Sequence, residues 1–290
     1  MLTRIAPTPS GYLHTGNLYN FLINWLWARC NGGKVLLRID DGDAERKRPE
    51  YVDDIFRTLD WLGLDWDLGP TGPDDFERNW SQKKREPLYR MMLDELIGHQ
   101  KIFACRCSRK QQQTHSSALP CACSREPFDP NLPDRAWRLK LEGDTRVAFS
   151  DRAMGEVQID LTTNAGPFVV RRKDGIPAYQ VCSLADDRHF SVTHIARGID
   201  LLESTAMQLY LDRQLADPLF GSIIFHHHIL LKDRGEKLSK SAGAQGRSIR
   251  ETRSPEQIIR GFVLWMNWKE SAVPDTCPSL ISRVSGILLP

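Results

Sequence analysis

The first forty residues constrain this chain most. Leu2 to Ala6 reads as a short strand, and the loop PTPSGYLHTGN (7–17) follows it. Then comes NLYNFLINWLWARC, a largely apolar helical run stopped by the glycine signal NGG. KVLLRID is next, an apolar run of strand length with no polar alternation. That pattern marks a strand covered on both faces, and such strands belong to parallel sheets wrapped by helices. Pro49 opens another helix, PEYVDDIFRTLDWLGL, with Ile55, Leu59 and Leu62 at helical spacing. Its acidic first turn suits the positive end of the helix dipole. EPLYRMMLDELIGHQ reads as a further helix leading into KIFAC as a third strand. The order strand, helix, strand, helix, helix, strand predicts an α/β fold with a doubly wound parallel sheet.

The rhythm breaks near Cys105. From there to Val170 the sequence is rich in Cys, Gln and Pro, with short alternating runs such as RAWRLKLEG. It reads as an inserted α+β subdomain. Alternation resumes with AYQVCSLADD, VTHIARG, a helix from Leu201 to Leu215, and SIIFHHHILL. After KLSKS, AGAQGRSIRETRSPEQ reads as a linker into a short amphipathic helical tail. The expected organisation is two halves of one core domain (1–104 and 171–245), an insertion (105–170) and a tail (246–290).

Composition narrows the class. The chain has 290 residues, 41% hydrophobic and 26% charged, ordinary values for a chain with a sizeable core. No apolar run reaches membrane-spanning length and no signal peptide opens the chain, so the expected location is cytoplasmic, with no membrane partner. The seven cysteines are then expected as thiols or metal ligands. A net charge of +2 does not by itself argue for nucleic acid. The basic runs Arg46-Lys47-Arg48, Lys83-Lys84-Arg85 and Arg171-Arg172-Lys173 read individually as solvated charge.

Ligands of doubly wound sheets bind beyond the carboxyl ends of the strands, where the loop 7–17 should sit. The helix after it offers unpaired N–H groups and about half a positive charge, a natural phosphate site. Gly16 lets a nucleotide lie against the backbone, and His14 adds a donor that strengthens as negative charge builds. GEKLSKSAG (235–243) supplies Lys237 and Lys240 in a glycine-flanked loop, the chemistry a polyphosphate leaving group needs. Cys105 and Cys107 (CRC) with Cys121 and Cys123 (CAC) form two clusters able to close a tetrahedral, structural Zn2+ site, with His115 as a lesser candidate. His226 to His228 lie in an apolar strand. Neighbouring side chains there point to opposite faces, which disfavours a three-ligand metal site. Cys30, Cys182 and Cys277 read as buried thiols or incidental residues.

HTGN resembles the HIGH signature, and KLSKS the KMSKS signature, of class I aminoacyl-tRNA synthetases. TRIAPTPSGYLHTGN, LLRIDDGDAERKRPEYVDDIFRTLDWLGLDWD and ADDRHFSVTHIARGIDLLESTAMQLYL resemble the glutamyl-tRNA synthetase catalytic core, covering most of residues 1 to 245 in order. That resemblance implies a Rossmann-like, nucleotide-binding catalytic domain. It also implies an ATP- and Mg2+-dependent ligase that makes an aminoacyl-adenylate and passes the acyl group to RNA. His14, Gly16, Lys237 and Lys240 would serve catalysis, with His14, Asn17 and Lys240 on the nucleotide. Arg4, Thr8, Asp40, Tyr179 and Arg197 match the amino-acid pocket, two arginines suiting the two carboxylates of L-glutamate. Here Thr8 stands where the glutamate family usually has serine, and RIDD, nearer the glutaminyl pattern, stands where glutamyl enzymes usually read RIED. The cysteine pairs and the short continuation after KLSKS resemble the glutamyl-queuosine tRNA(Asp) synthetases. Those cores attach glutamate to queuosine in the anticodon loop of tRNA(Asp). The insertion, basic at Arg135, Arg138, Arg171 and Arg172, would then hold RNA backbone. The expected state is a monomer. Competing readings are a truncated or divergent glutamyl- or glutaminyl-tRNA synthetase charging a 3′ end, a non-catalytic RNA-binding paralogue, and an enzyme delivering glutamate to another acceptor.

Overall fold

In the computed structural model, described residues are 1–108, 111, 121–233, 236–237, 246–268, 276–277 and 279–280. They divide into two units. The first comprises 1–84, 192–199 and 225–290, and the second 85–191 and 200–224. Among the described residues, no helix is long and apolar enough to cross a membrane.

The first stretch of unit one holds β1 (Leu2–Ile5), α1 (Thr15–Cys30), β2 (Lys34–Leu37) and α2 (Pro49–Leu62). β1 and β2 pair in parallel, from Leu2 opposite Lys34 to Ile5 opposite Leu37. Pairing continues past both strands: Arg38 N–H donates to the Ile5 carbonyl at 2.9 Å and Asp40 N–H to Pro7 at 2.8 Å. This brings the 7–17 loop and the RIDD segment to the same carboxyl ends. α1 is buried nearly all round, which is why its apolar residues form no stripe. α2 is amphipathic instead: Val52, Ile55, Phe56, Leu59 and Leu62 are buried. Gly63 ends it in the left-handed conformation, φ 72°.

The second unit holds α3 (Glu86–Gly98), β3 (Ile102–Cys105), β4 (Ala136–Leu139), β5 (Arg146–Asp151), β6 (Gly155–Asp160), β7 (Val169–Arg171), α4 (Tyr179–His189) and α5 (Leu202–Asp212). β3, β4 and β7 form an antiparallel sheet, and β5 and β6 a hairpin. KIFAC therefore does not extend the parallel pairing of β1 and β2. A four-residue apolar run looks alike in either orientation; its partner, the alternating RAWRLKLEG, sets the antiparallel ladder. Asp186 of α4 is fully buried and accepts from Arg85 Nε at 2.7 Å, Arg85 Nη2 at 3.0 Å and the Tyr89 hydroxyl at 2.8 Å. This closed charge cluster ties α3 to α4.

Unit one resumes with β8 (His194–Gly198), β9 (Ile224–His228), the two-residue strands β10 (Lys232–Asp233) and β11 (Glu236–Lys237), and α6 (Pro255–Trp265). α6 is opened by Ser254 and Gln257 in a capping box and buries Ile258, Ile259, Phe262 and Val263 in the core around α1. Tyr19 of α1 meets Phe262 edge-on at 5.5 Å, and a Cβ at Gly261 would collide with the Tyr19 hydroxyl. The stretch read as a linker is partly anchored. Ile249 is buried, and Arg250 pairs with buried Asp54 at 3.0 Å.

Candidate active site and thiol cluster

His14 is the last extended residue before α1 (φ −119°, ψ 166°). Its N–H donates to the Asn17 side chain at 3.1 Å, and the Asn17 N–H returns to the His14 carbonyl at 2.8 Å. Asn17 thus fixes the backbone of His14. Gly16 has a visible reason: a Cβ there would stand 3.1 Å from His14 Cε1 and 3.2 Å from Nδ1. The glycine makes room for the imidazole at the mouth of the helix, where the dipole favours anions.

Three strands of unit one contribute the charged groups. Arg4 on β1 and Arg197 on β8 are 3% and 2% exposed. Arg4 Nη1 donates to the Ala196 carbonyl at 3.4 Å, so β1 holds the residue just before Arg197. The Arg197 guanidinium lies over the Phe225 ring, 5.7 Å from its centroid. Asp40 receives a two-point contact from buried Arg38, with Nε to Oδ1 at 2.8 Å and Nη2 to Oδ2 at 3.1 Å. Beside it, Asp41 is 1% exposed and accepts from Ser81 Oγ, Gln82 N–H and Lys47 Nζ at 2.7, 2.7 and 3.0 Å. Arg38 and Asp41 were not among the sequence candidates. Both sit in RIDD, and the i, i+2 spacing that puts Arg38 and Asp40 on one strand face was the available signal.

The other expected residues fall as follows. Thr8 is exposed in the loop, its carbonyl accepting from Ser10 N–H at 2.9 Å. Tyr179 belongs to the second unit, as the first residue of α4, 43% exposed. Lys237 lies on β11, paired with Lys232; Lys240 lies outside the described residues, as does His115. The three histidines of β9 are 6%, 2% and 9% exposed. His226 meets Trp27 edge-on, His227 stacks with Phe225, and His228 Nε2 is 3.1 Å from Asn20 Oδ1. Among the insertion arginines, Arg138 donates to the Pro167 carbonyl at 2.6 Å, Arg172 pairs with Asp174 at 2.6 Å, and Arg135 stands 4.0 Å from Glu126. Arg171 instead lies 4.4 Å over the Trp137 ring and has no carboxylate partner among the described residues.

Cys105, Cys107, Cys121 and Cys123 come together, every sulfur within 4.8 Å of the others. Sγ–Sγ distances of 3.8 Å (105–121), 3.5 Å (107–121) and 4.0 Å (107–123) are far too long for disulfides. They match the edge of a tetrahedron with ~2.3 Å metal–sulfur bonds, about 3.8 Å. Burial pushes the Cys121 thiol up to about 12 and raises Cys107. At Cys123 burial works the same way, but the hydrogen bonds from the Arg106 N–H and the Cys121 and Cys107 thiols together outweigh it and lower the thiol. Four soft donors in a closed shell fit a structural metal such as zinc.

The parallel strand ends, the histidine at the helix mouth and the buried arginines define a class I tRNA synthetase core. Residues 1–277 match the family model of tRNA synthetases class I (E and Q), catalytic domain, and the chain belongs to that family. Its similarity to the Glutamyl-Q tRNA(Asp) synthetase of Methylococcus capsulatus is 38% identity over 243 residues, covering 83% of this chain and 76% of that protein. The same-named protein of Nitratidesulfovibrio vulgaris is 35% identical over 309 residues, covering 98% and 91%. The fold superposes on glutamate-tRNA synthetase from Elizabethkingia anophelis with TM-score 0.77 at 23% identity. That match covers 97% of this chain and 65% of the other.

Proposed function

We propose that this protein uses ATP and Mg2+ to activate L-glutamate and transfers the glutamyl group to queuosine in the anticodon loop of tRNA(Asp). The observation that carries the reading is the similarity, along 83% to 98% of the chain, to relatives named for glutamyl-Q tRNA(Asp) synthesis. In the first step a glutamate carboxylate oxygen bonds to the α-phosphorus of ATP. The α–β bridging P–O bond breaks, and pyrophosphate leaves with the electron pair. A hydroxyl of the RNA then attacks the acyl carbon, and AMP departs. Positioning and charge stabilisation dominate such chemistry. His14 and the first turn of α1 serve the phosphates, with Lys237 and Lys240 as cations for the leaving group. Bound Mg2+ would neutralise phosphate charge.

Arg4 and Arg197 are assigned to the two substrate carboxylates, Asp40 to the ammonium, and Thr8 and Tyr179 to the pocket wall. Asp40 remains anchored by Arg38, so the ammonium joins an existing pair. The four cysteines hold zinc as a structural ion, and Arg171 offers its unpaired cation to RNA phosphate. The reading goes with a monomer in the cytoplasm, where thiols stay reduced.

The test is incubation with labelled glutamate and ATP on tRNA(Asp) with and without queuosine. Acceptance should require queuosine and survive removal of the 3′-terminal adenosine. Strong acceptance by queuosine-free tRNA, lost with that adenosine, refutes the proposal in favour of 3′-end charging.

A further inference from the structure

Asn24 sits in the middle of α1, fully buried, where an amide is costly unless each polar atom is satisfied. Its Oδ1 accepts the Ala196 N–H at 3.2 Å, and its Nδ2 donates to the Ala196 carbonyl at 3.0 Å. The second Nδ2 hydrogen goes to the Asn20 carbonyl at 2.9 Å. The side chain thus imitates a neighbouring strand, occupying both peptide groups of one residue of β8. Near its start, β8 approaches β1 directly: Thr193 N–H donates to the Leu2 carbonyl at 3.0 Å. At Ala196 the amide of Asn24 takes that place.

The residue so held precedes Arg197, and its carbonyl also receives Arg4 Nη1 at 3.4 Å. Thr3, the residue before Arg4, donates its hydroxyl to the Asn24 carbonyl at 3.0 Å. Both arginines are therefore registered against one residue of the helix that starts at His14: Arg197 follows the peptide groups that the Asn24 amide holds, and Arg4 meets the same Ala196 carbonyl while its neighbour Thr3 bonds the Asn24 backbone. We propose that Asn24 is a positioning residue for glutamate recognition, setting the spacing and direction of the Arg4 and Arg197 guanidinium groups without touching the substrate. The inference rests on the assignment of those arginines to the substrate carboxylates. Only an amide meets the requirement. Aspartate would turn a second acceptor toward the Ala196 carbonyl, and leucine would leave both peptide groups unpaired in a dry site.

The experiment is ATP–pyrophosphate exchange on the full chain with glutamate and ATP varied separately, each variant normalised to its active fraction by adenylate burst. Asn24→Asp should raise KM for glutamate about tenfold and leave KM for ATP unchanged. Asn24→Ser, which keeps a smaller donor and acceptor and adds no buried charge, should raise it less and carries the test if the aspartate variant does not fold. A merely structural asparagine would lower the active fraction and leave KM for glutamate alone, which overturns the proposal. Arg4→Lys and Arg197→Lys run alongside. If they raise KM for glutamate and the Asn24 variants do not, the positioning role falls alone. If the arginine variants also leave it unchanged, the carboxylate assignment fails and this inference with it.

Discussion

Gly16→Ala separates catalysis from stability at one atom. The added Cβ would lie 3.1 and 3.2 Å from His14 ring atoms, so the imidazole must give way by a few tenths of an ångström. Carbon contacts are optimal near ~3.5–4.0 Å. With the His14 backbone pinned by Asn17, the adjustment falls on the ring. A 1 Å error at a reacting centre costs about 10²-fold, so a shift of this size should cost roughly tenfold in kcat, about 1.4 kcal/mol of barrier. Stability should move the other way. Gly16 lies in the first turn of α1 with no left-handed φ, and replacing a helical glycine with alanine gains about 0.5–1 kcal/mol. For a chain of this length that is a rise in Tm of about 2–4 °C at most. Pyrophosphate exchange and a thermal melt on one sample read both effects. An undiminished kcat with the expected Tm would refute the claim that the glycine is there for the imidazole.

Removing Arg85 should be severe. Arg85→Ala leaves Asp186, 0% exposed, without its cation, and such orphaned buried charges typically cost about 3–5 kcal/mol, read by urea unfolding; a loss below 1 kcal/mol contradicts the cluster's role. Zinc removal with a chelator should increase amide hydrogen exchange around Phe103 and Cys121, which pack with the cysteines, and leave α1 protected; equal protection throughout refutes a structural metal. Arg171→Ala should weaken tRNA binding and reduce the salt slope by about one, whereas an unchanged slope places no phosphate there. Burial raises the Tyr19 hydroxyl to about 12, against a partial lowering by Arg253. The folded state therefore keeps its proton where the unfolded chain, near pH 10, loses it. That contribution is intact below about pH 10 and disappears as pH climbs toward 12. Tyr19→Phe should flatten this part of the alkaline unfolding curve.

Local pattern carried the first eighty residues. KVLLRID announced a strand buried on both faces, and the PTPSG loop announced a break between strand and helix, because burial and backbone conformation leave direct marks on residue choice. KIFAC did not declare its partner, since strand orientation is decided by residues 136–139, thirty positions away. The four cysteines were legible from spacing alone, for thiols gain little from clustering unless a metal closes them. Arg38 and Asn24 were not. An arginine beside an aspartate reads as surface charge, and an asparagine inside an apolar helix reads as an interruption, until the chain folds and supplies the peptide it serves. Arg138, read as an RNA contact, also donates to the Pro167 carbonyl at 2.6 Å, a bond no local pattern announces.

The way the two units share the chain has a consequence for biosynthesis. The first unit needs residues 1–84, 192–199 and 225–290 together, whereas the second is complete once residue 224 has emerged. The segment translated earliest is thus the last to find all its neighbours. Phe21 and Leu22 wait for Ile258 and Phe262, an entropically slow closure over more than two hundred residues. A nascent chain halted before α6 would leave the apolar α1 without the residues of α6 that share its core, so ribosome-bound intermediates of this protein should be strong chaperone clients.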